Sequence, residues 1–230
     1  MDTLKTAAII LPEKVDYPPA PWTLRGNLYG SIWGVSASLF KVELPSEFQP
    51  LVNFGRVGVY AGFVDYQPGS SLSYHELIAG VVVKLRGTRR YAFTVTNIWV
   101  DSVASLWGGR ELWGVPKELA RFKFDYVRAD HNFQGVAQDA NGTLAGGSFE
   151  TVVGLPKFLR PPTPFPDMQI LNGQPHSSSG TFWSAFQICK GGMQIPARSP
   201  LAALGIAGRK PWISFGGLNF KMHLQAARQI

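Results

Sequence analysis

The segment Gly109-Arg110-Glu111-Leu112-Trp113-Gly114-Val115-Pro116-Lys117-Glu118 places a lysine directly after a proline, inside a run of apolar and aromatic residues. Lysine normally keeps its ammonium in water, because burying an unpaired charge is costly. Apolar surroundings favour the neutral amine, which attacks carbonyl carbon to form a Schiff base. Lys117 is therefore a candidate nucleophile towards a keto compound, although most lysines that follow a turn are simply solvated. A second candidate is Glu76, in the strand-like run Ser73-Tyr74-His75-Glu76-Leu77-Ile78. A glutamate within a buried strand is rare unless it has a partner or a task, and the task here is proton transfer or polarisation of an imine. The simpler alternative is a carboxylate on the outward face of a strand.

These residues also carry a family resemblance. Asp101-Ser102, Gly109-Arg110-Glu111 and Pro116-Lys117, in this order and spacing, resemble the acetoacetate decarboxylase family. The segment Tyr74-His75-Glu76 is similar to that family's Tyr-x-Glu element, and Pro21-Trp22-Thr23-Leu24 running on to Tyr29 resembles its first strand. The likeness spans about residues 20 to 120 and fades afterwards. It implies a mainly β fold, an antiparallel cone-like β-barrel with a few short helices, formed by residues 1–230 as a single domain. It also implies Lys117 as the Schiff-base lysine and Glu76 as its acid–base partner. The implied reaction is decarboxylation of a β-keto acid. An aldolase or dehydratase using the same lysine is the alternative, and a non-catalytic small-molecule binder is the rival from another class.

Two positions depart from the family pattern. A second lysine follows the reactive one in the family, whereas Glu118 stands here; facing the amine, its carboxylate would hold that amine in the charged form. The family's first strand carries an arginine that holds the substrate carboxylate, and alignment on Pro21, Tyr29 and Ile32 puts Asn27 at that position. Arg25 lies two residues earlier, on the same face of an extended segment, and guanidinium pairs with carboxylate in a fixed bidentate geometry. Arg25 or Arg110 is thus the expected anion-binding group. If Arg25 points away, another carbonyl substrate becomes preferable to a small β-keto acid. Trp113, with Trp99 and Trp107, suggests room for a larger, flatter substrate.

Composition excludes several other classes. Of the 230 residues, 45% are hydrophobic and 16% charged, which suits a globular domain with a sizeable core rather than a disordered chain. Cys189 is the single cysteine, so no internal disulfide can form. The apolar patch in residues 1–11 is short and follows an acidic residue, a poor match to a signal peptide. The apolar run 77–83 is far too short to cross a bilayer. A cytoplasmic homo-oligomer with no membrane contact is expected. The net charge of +7 raises nucleic-acid binding, but the only tight basic cluster, Arg86, Arg89 and Arg90 around Gly87, reads as a hairpin turn. The charge also suits an anionic metabolite. His75, His131, His176 and His223 have no ligand spacing, and no glycine loop for phosphate or dinucleotide is present, so neither metal nor cofactor is expected.

Short apolar runs between turn signals supply the elements that must position these residues. Strands are expected over 28–40, 58–64, 74–85, 91–100, 121–128, 132–138, 143–153, 181–189 and 212–218. Helices are expected over 45–52, over 101–107 with Asp101 or Ser102 as cap and Gly108-Gly109 as terminator, and over 200–207. Residues 160–167, rich in proline, read as an extended connector, and 177–180 as a flexible loop.

Overall fold

The computed structural model describes residues 11–127, 132–156 and 158–230; the expected readings on residues 1–10, Arg128 and His131 lie outside them. The first half supplies β1 (Trp22–Ser36), β2 (Phe48–Pro50), β3 (Val52–Asn53), β4 (Arg56–Tyr66), β5 (Tyr74–Leu85) and β6 (Tyr91–Val100). One helix, α1 (Val103–Trp113), then leads to β7 (Lys117–Leu119), β8 (Arg121–Val127), β9 (Asn132–Asp139) and β10 (Gly142–Gly154). The remainder forms β11 (Pro162–Leu171), β12 (Gln174–Gln194), β13 (Ile213–Leu224) and β14 (Arg228–Gln229). The fold is mainly β, as the sequence implies. Among the described residues, no helix is long and apolar enough to cross a membrane.

Strand order runs β11-β6-β5-β4-β1-β13-β12, and β11 also pairs with β12, so these seven strands close into a ring. From β12 the sheet continues through β10, β9 and β8. Most pairings are antiparallel, but β7 and β11 each run parallel to β6. Alternation of side chains across the pleat divides the apolar residues into two clusters. One contains Tyr29, Phe63, Leu77 and Trp99; the other contains Leu24, Val64, Tyr66, Tyr74, Ile98, Val100 and Phe220. Glu76 stands opposite Val64 and Val100 and so belongs to the second face.

Several sequence expectations are corrected. Residues 45–52 are not helical: a turn precedes β2, whose Phe48 is buried opposite Leu85, and tertiary pairing overrides the local signal. Residues 162–171 are a strand rather than a connector, paired along their length with β12 and bridged to β6 only at Asp167. Prolines at 162, 164 and 166 recur every second residue, so the missing N–H groups fall on one edge of the strand. Residues 177–180 lie within β12 and pair with residues 165–168, so they are not a loop. The third expected helix shortens to a 3-10 turn over Pro200–Leu204.

Candidate active site

Helix α1 is longer than its sequence suggests. Ser102 caps it, its hydroxyl accepting from the Ser105 amide at 3.2 Å, but Gly108 and Gly109 lie inside the helix. The terminator is Gly114, in the left-handed region at φ 71°, whose N–H reaches back to the carbonyls of Arg110 and Gly109. A Cβ at Gly114 would also lie 2.3 Å from the Ile170 carbonyl oxygen, so both conformation and close approach require glycine. Pro116 then turns the chain into β7, where Lys117 registers against Ile98 of β6. Gly109 has its own reason to lack a side chain: a Cβ there would lie 2.6 Å from Lys117 Cδ and 2.7 Å from Cε. The helix is thinned at the point where the lysine passes it.

That passage delivers the amine into a closed polar cluster. Lys117 Nζ lies 2.9 Å from Glu76 Oε2, 2.9 Å from Ser105 Oγ and 3.3 Å from the Tyr74 hydroxyl. The Tyr66 hydroxyl donates to the other Glu76 oxygen, Oε1, at 3.0 Å. The Lys117 and Glu76 side chains are only 5% and 4% exposed, so the pair is shielded from both water and salt. Nζ also sits 4.9 Å from the Tyr74 ring centroid, within cation–π range. Burial, then the Glu76 charge, pushes the Tyr66 and Tyr74 phenols well above their ordinary range, so both remain proton donors at neutral pH. The Glu76 carboxylate lies within direct proton-transfer distance of the amine.

The other sequence candidates occupy different places. Glu118 faces away from the amine, since neighbouring strand residues alternate, and it accepts from Trp99 Nε1 at 3.1 Å. Arg110 donates from Nε to the Lys117 carbonyl at 2.7 Å, clamping the helix end to β7. Glu111 lies outside, bound to Lys14 at 2.7 Å and to Tyr17, where it holds the N-terminal segment across α1. Trp113 is buried edge-on against Trp22 at 4.7 Å, and its indole N–H donates to the Gln225 carbonyl.

Arg25 is exposed, with its guanidinium near Gly69. Asn27 stands opposite Asp65, which stands opposite His75, on the face away from Glu76; its side-chain oxygen accepts from the Asn219 amide at 2.8 Å. On that rear face His75 Nδ1 lies 2.6 Å from Asp101 Oδ2, and the Tyr126 hydroxyl donates to Asp65 at 2.6 Å. The Asp101 hydrogen bond raises His75 above its ordinary value; burial opposes the matching fall of Asp101, but the His75 ring and amide prevail. This network fixes the strand next to Glu76 and the start of α1 together. Ser105 and Tyr66 were not singled out by sequence. Ser105 was signalled only by its spacing of four from Gly109, which puts both on one helical face.

Comparison with known proteins identifies the family and the fold. The family model described as acetoacetate decarboxylase matches residues 15–158, and the chain belongs to that family. No curated protein matches the sequence. Among solved structures, acetoacetate decarboxylase from Legionella pneumophila superposes with a TM-score of 0.70 at 16% identity, covering 97% of this chain and 93% of that one. The enduracididine biosynthesis enzyme MppR gives 0.66 at 15% identity, with 98% and 90% covered. An acetoacetate decarboxylase-like enzyme from Sphingomonas wittichii gives 0.62 at 12%, with 92% of each chain covered.

Proposed function

We propose that the protein is a lyase that forms a Schiff base between Lys117 and a keto substrate. The observation that carries this reading is the buried amine held at 2.9 Å by both Glu76 and Ser105. Glu76 takes the proton that Lys117 must lose and returns it to the departing hydroxyl of the carbinolamine, which leaves as water. Tyr66 holds the second carboxylate oxygen, and Ser105 fixes the direction from which the amine attacks. The protonated imine then accepts the electron pair of the neighbouring C–C bond, giving an enamine. Protonation at carbon and hydrolysis release the product and restore the amine.

For a β-keto acid the bond broken is that to the carboxylate, which leaves as carbon dioxide. This is the first reading, supported by family membership and by the apolar wall of Leu24, Val64, Ile98, Val100 and Phe220 around the site. Desolvation by such a wall disfavours a carboxylate relative to neutral carbon dioxide. A second reading is aldol cleavage or condensation, or dehydration, through the same imine. It is favoured by Arg25 being exposed and by two neutral phenols beside Glu76, which suit proton transfer to and from oxygen. MppR, similar in fold, has been solved in complex with pyruvate and with the condensation product of pyruvate and imidazole 4-carboxaldehyde.

Borohydride reduction in the presence of a panel of keto compounds tests the proposal. The mass of the trapped ketone should appear on Lys117 and be lost in Lys117→Arg. Adducts confined to other lysines would refute it. Carbon dioxide release from β-keto acids against product formation from pyruvate plus an aldehyde separates the two readings.

A further inference from the structure

Tyr60 lies on β4 in the same side-chain row as Gly62 and Val64, and Val64 stands directly opposite Glu76. Its ring does not stand up from the sheet. It lies flat over the cross-strand pair Gly30 and Gly62. A Cβ at Gly30 would be 2.6 Å from the ring edge and 3.0 Å from the hydroxyl, and one at Gly62 would be 2.4 Å from the hydroxyl. Two glycines on adjacent strands therefore make the floor on which this side chain rests. Because the hydroxyl lies over Gly62, two residues on from Tyr60, the phenol points along β4 towards Val64 and the row that holds Glu76. Phe93 and Phe215 flank the ring at centroid distances of 6.0 and 6.1 Å. Phe93 in turn lies over a third glycine, Gly80, the residue opposite Tyr60.

The hydroxyl at the end of this ring has no hydrogen-bond partner among the described residues. The two fully buried phenols at the site are both engaged, Tyr66 with Glu76 and Tyr74 with Lys117, whereas Tyr60 is half-buried and its hydroxyl keeps contact with solvent. Burial, and then the charge of Glu76, push the Tyr60 phenol above its ordinary range, so it is an uncharged O–H donor at neutral pH. A donor held in place by a glycine floor and two aromatic rings, with no protein acceptor and with its hydroxyl open to solvent, is a binding group free to take an acceptor from a ligand.

We infer that Tyr60 is a substrate-contacting specificity residue, whose hydroxyl donates to a second, uncharged oxygen carried by the ketone that Lys117 attacks. The inference rests on the lyase reading above and narrows its substrate class to oxygenated ketones, such as β-hydroxy ketones or keto compounds with a further carbonyl. A phenol supplies direction without charge. It rewards an acceptor oxygen and penalises a methyl in the same place, since the alkyl analogue leaves the donor unpaired.

The test compares 4-hydroxybutan-2-one with pentan-2-one, which differ only by hydroxyl against methyl, in calorimetric binding to the wild-type protein and to Tyr60→Phe. The wild type should bind the hydroxy ketone about tenfold more tightly, the size of one hydrogen bond gained or lost. Tyr60→Phe keeps the ring on its glycine floor and should bind the two ketones within about twofold of each other. A wild type without preference, or a variant that keeps the preference, would overturn the inference. Reversible binding does not depend on imine formation, so a parallel borohydride experiment that traps neither ketone on Lys117 would sink the lyase reading while the binding ratio still decides the role of Tyr60.

Discussion

Replacing Gly109 with alanine isolates the passage between α1 and the buried Lys117 side chain. The added methyl would meet Lys117 Cδ at 2.6 Å and Cε at 2.7 Å. Ordinary carbon–carbon contact lies at about 3.5–4.0 Å, so one of the two must yield by about 1 Å. The lysine stem is the flexible partner; the helix backbone is pinned by the Ser102 cap, the Gly114 terminator and the Arg110 clamp. The shift therefore falls on Nζ, which now holds three contacts between 2.9 and 3.3 Å. A 1 Å misplacement at a reacting atom typically costs about 10²-fold in rate. Stability should move much less, because alanine gains up to about 1 kcal/mol over glycine in a helix interior and offsets the local crowding. The expected outcome is a variant with near-wild-type melting behaviour whose turnover, and whose rate of borohydride-trappable imine formation at Lys117, fall by about 10². A Gly109→Ala protein that forms the imine at the wild-type rate would refute the claim that the thinned helix positions the amine.

Two further predictions follow from the charged groups. Glu76→Gln should lower turnover by about 10² or more, the usual size of an acid–base contribution, whereas Glu118→Gln should leave the pH profile of Lys117 labelling nearly unchanged, because Glu118 is bound to Trp99; a shift of a full unit towards acid in Glu118→Gln would contradict that geometry. Asp167 is buried on β11, and burial raises its carboxyl to about 7 from an ordinary value of 3.8, with Gln169 and Ser178 partly opposing the rise. The folded state then keeps a proton that the unfolded chain loses, so this group's stabilisation is complete below about pH 4 and is lost as pH rises towards 7. The upper bound is about 4 kcal/mol at 1.36 kcal/mol per pH unit. In Asp167→Asn, denaturant midpoints should decline less across that window than in the wild type, and parallel declines would contradict it.

Strands whose signals are local were legible. The runs 74–85 and 91–100 are bounded by turn residues and coincide with β5 and β6. Elsewhere local chemistry misled. Prolines that mark a connector when read alone are admitted to β11 because one side of that strand carries almost no pairing. Likewise Ser177, Ser178 and Gly180 look like a mobile loop until their partners 165–168 are known. Strand pairing across long sequence separation is not written in any one segment, so β11 and the first part of the long β12 were less readable than β8, β9 and β10, whose expected bounds nearly coincide with those observed.

The site divides in the same way, and Gly109 shows why. Gly108-Gly109 looks like the end of a helix, because glycine usually marks a terminus by its backbone freedom. Here the decisive property is the missing Cβ, and the reason for it lies eight residues further on, in the stem of Lys117. Glu76 and Lys117 could be singled out as titratable groups in apolar runs, yet nothing near either residue identifies the other as its partner. They meet because β7 registers on β6 and β6 on β5, placing Ile98 beside Lys117 and Val100 beside Glu76. The same register turns Glu118 to the opposite side, so the one substitution in the motif that seemed to threaten the chemistry instead binds Trp99. Arg25 is the converse case: its sequence position suited an anion-binding role, but the pleat of β1 leaves it exposed while its buried neighbours Leu24 and Gly26 face inward. What a residue can do was readable from its type; which face it serves depended on pairings made by strands far away in sequence.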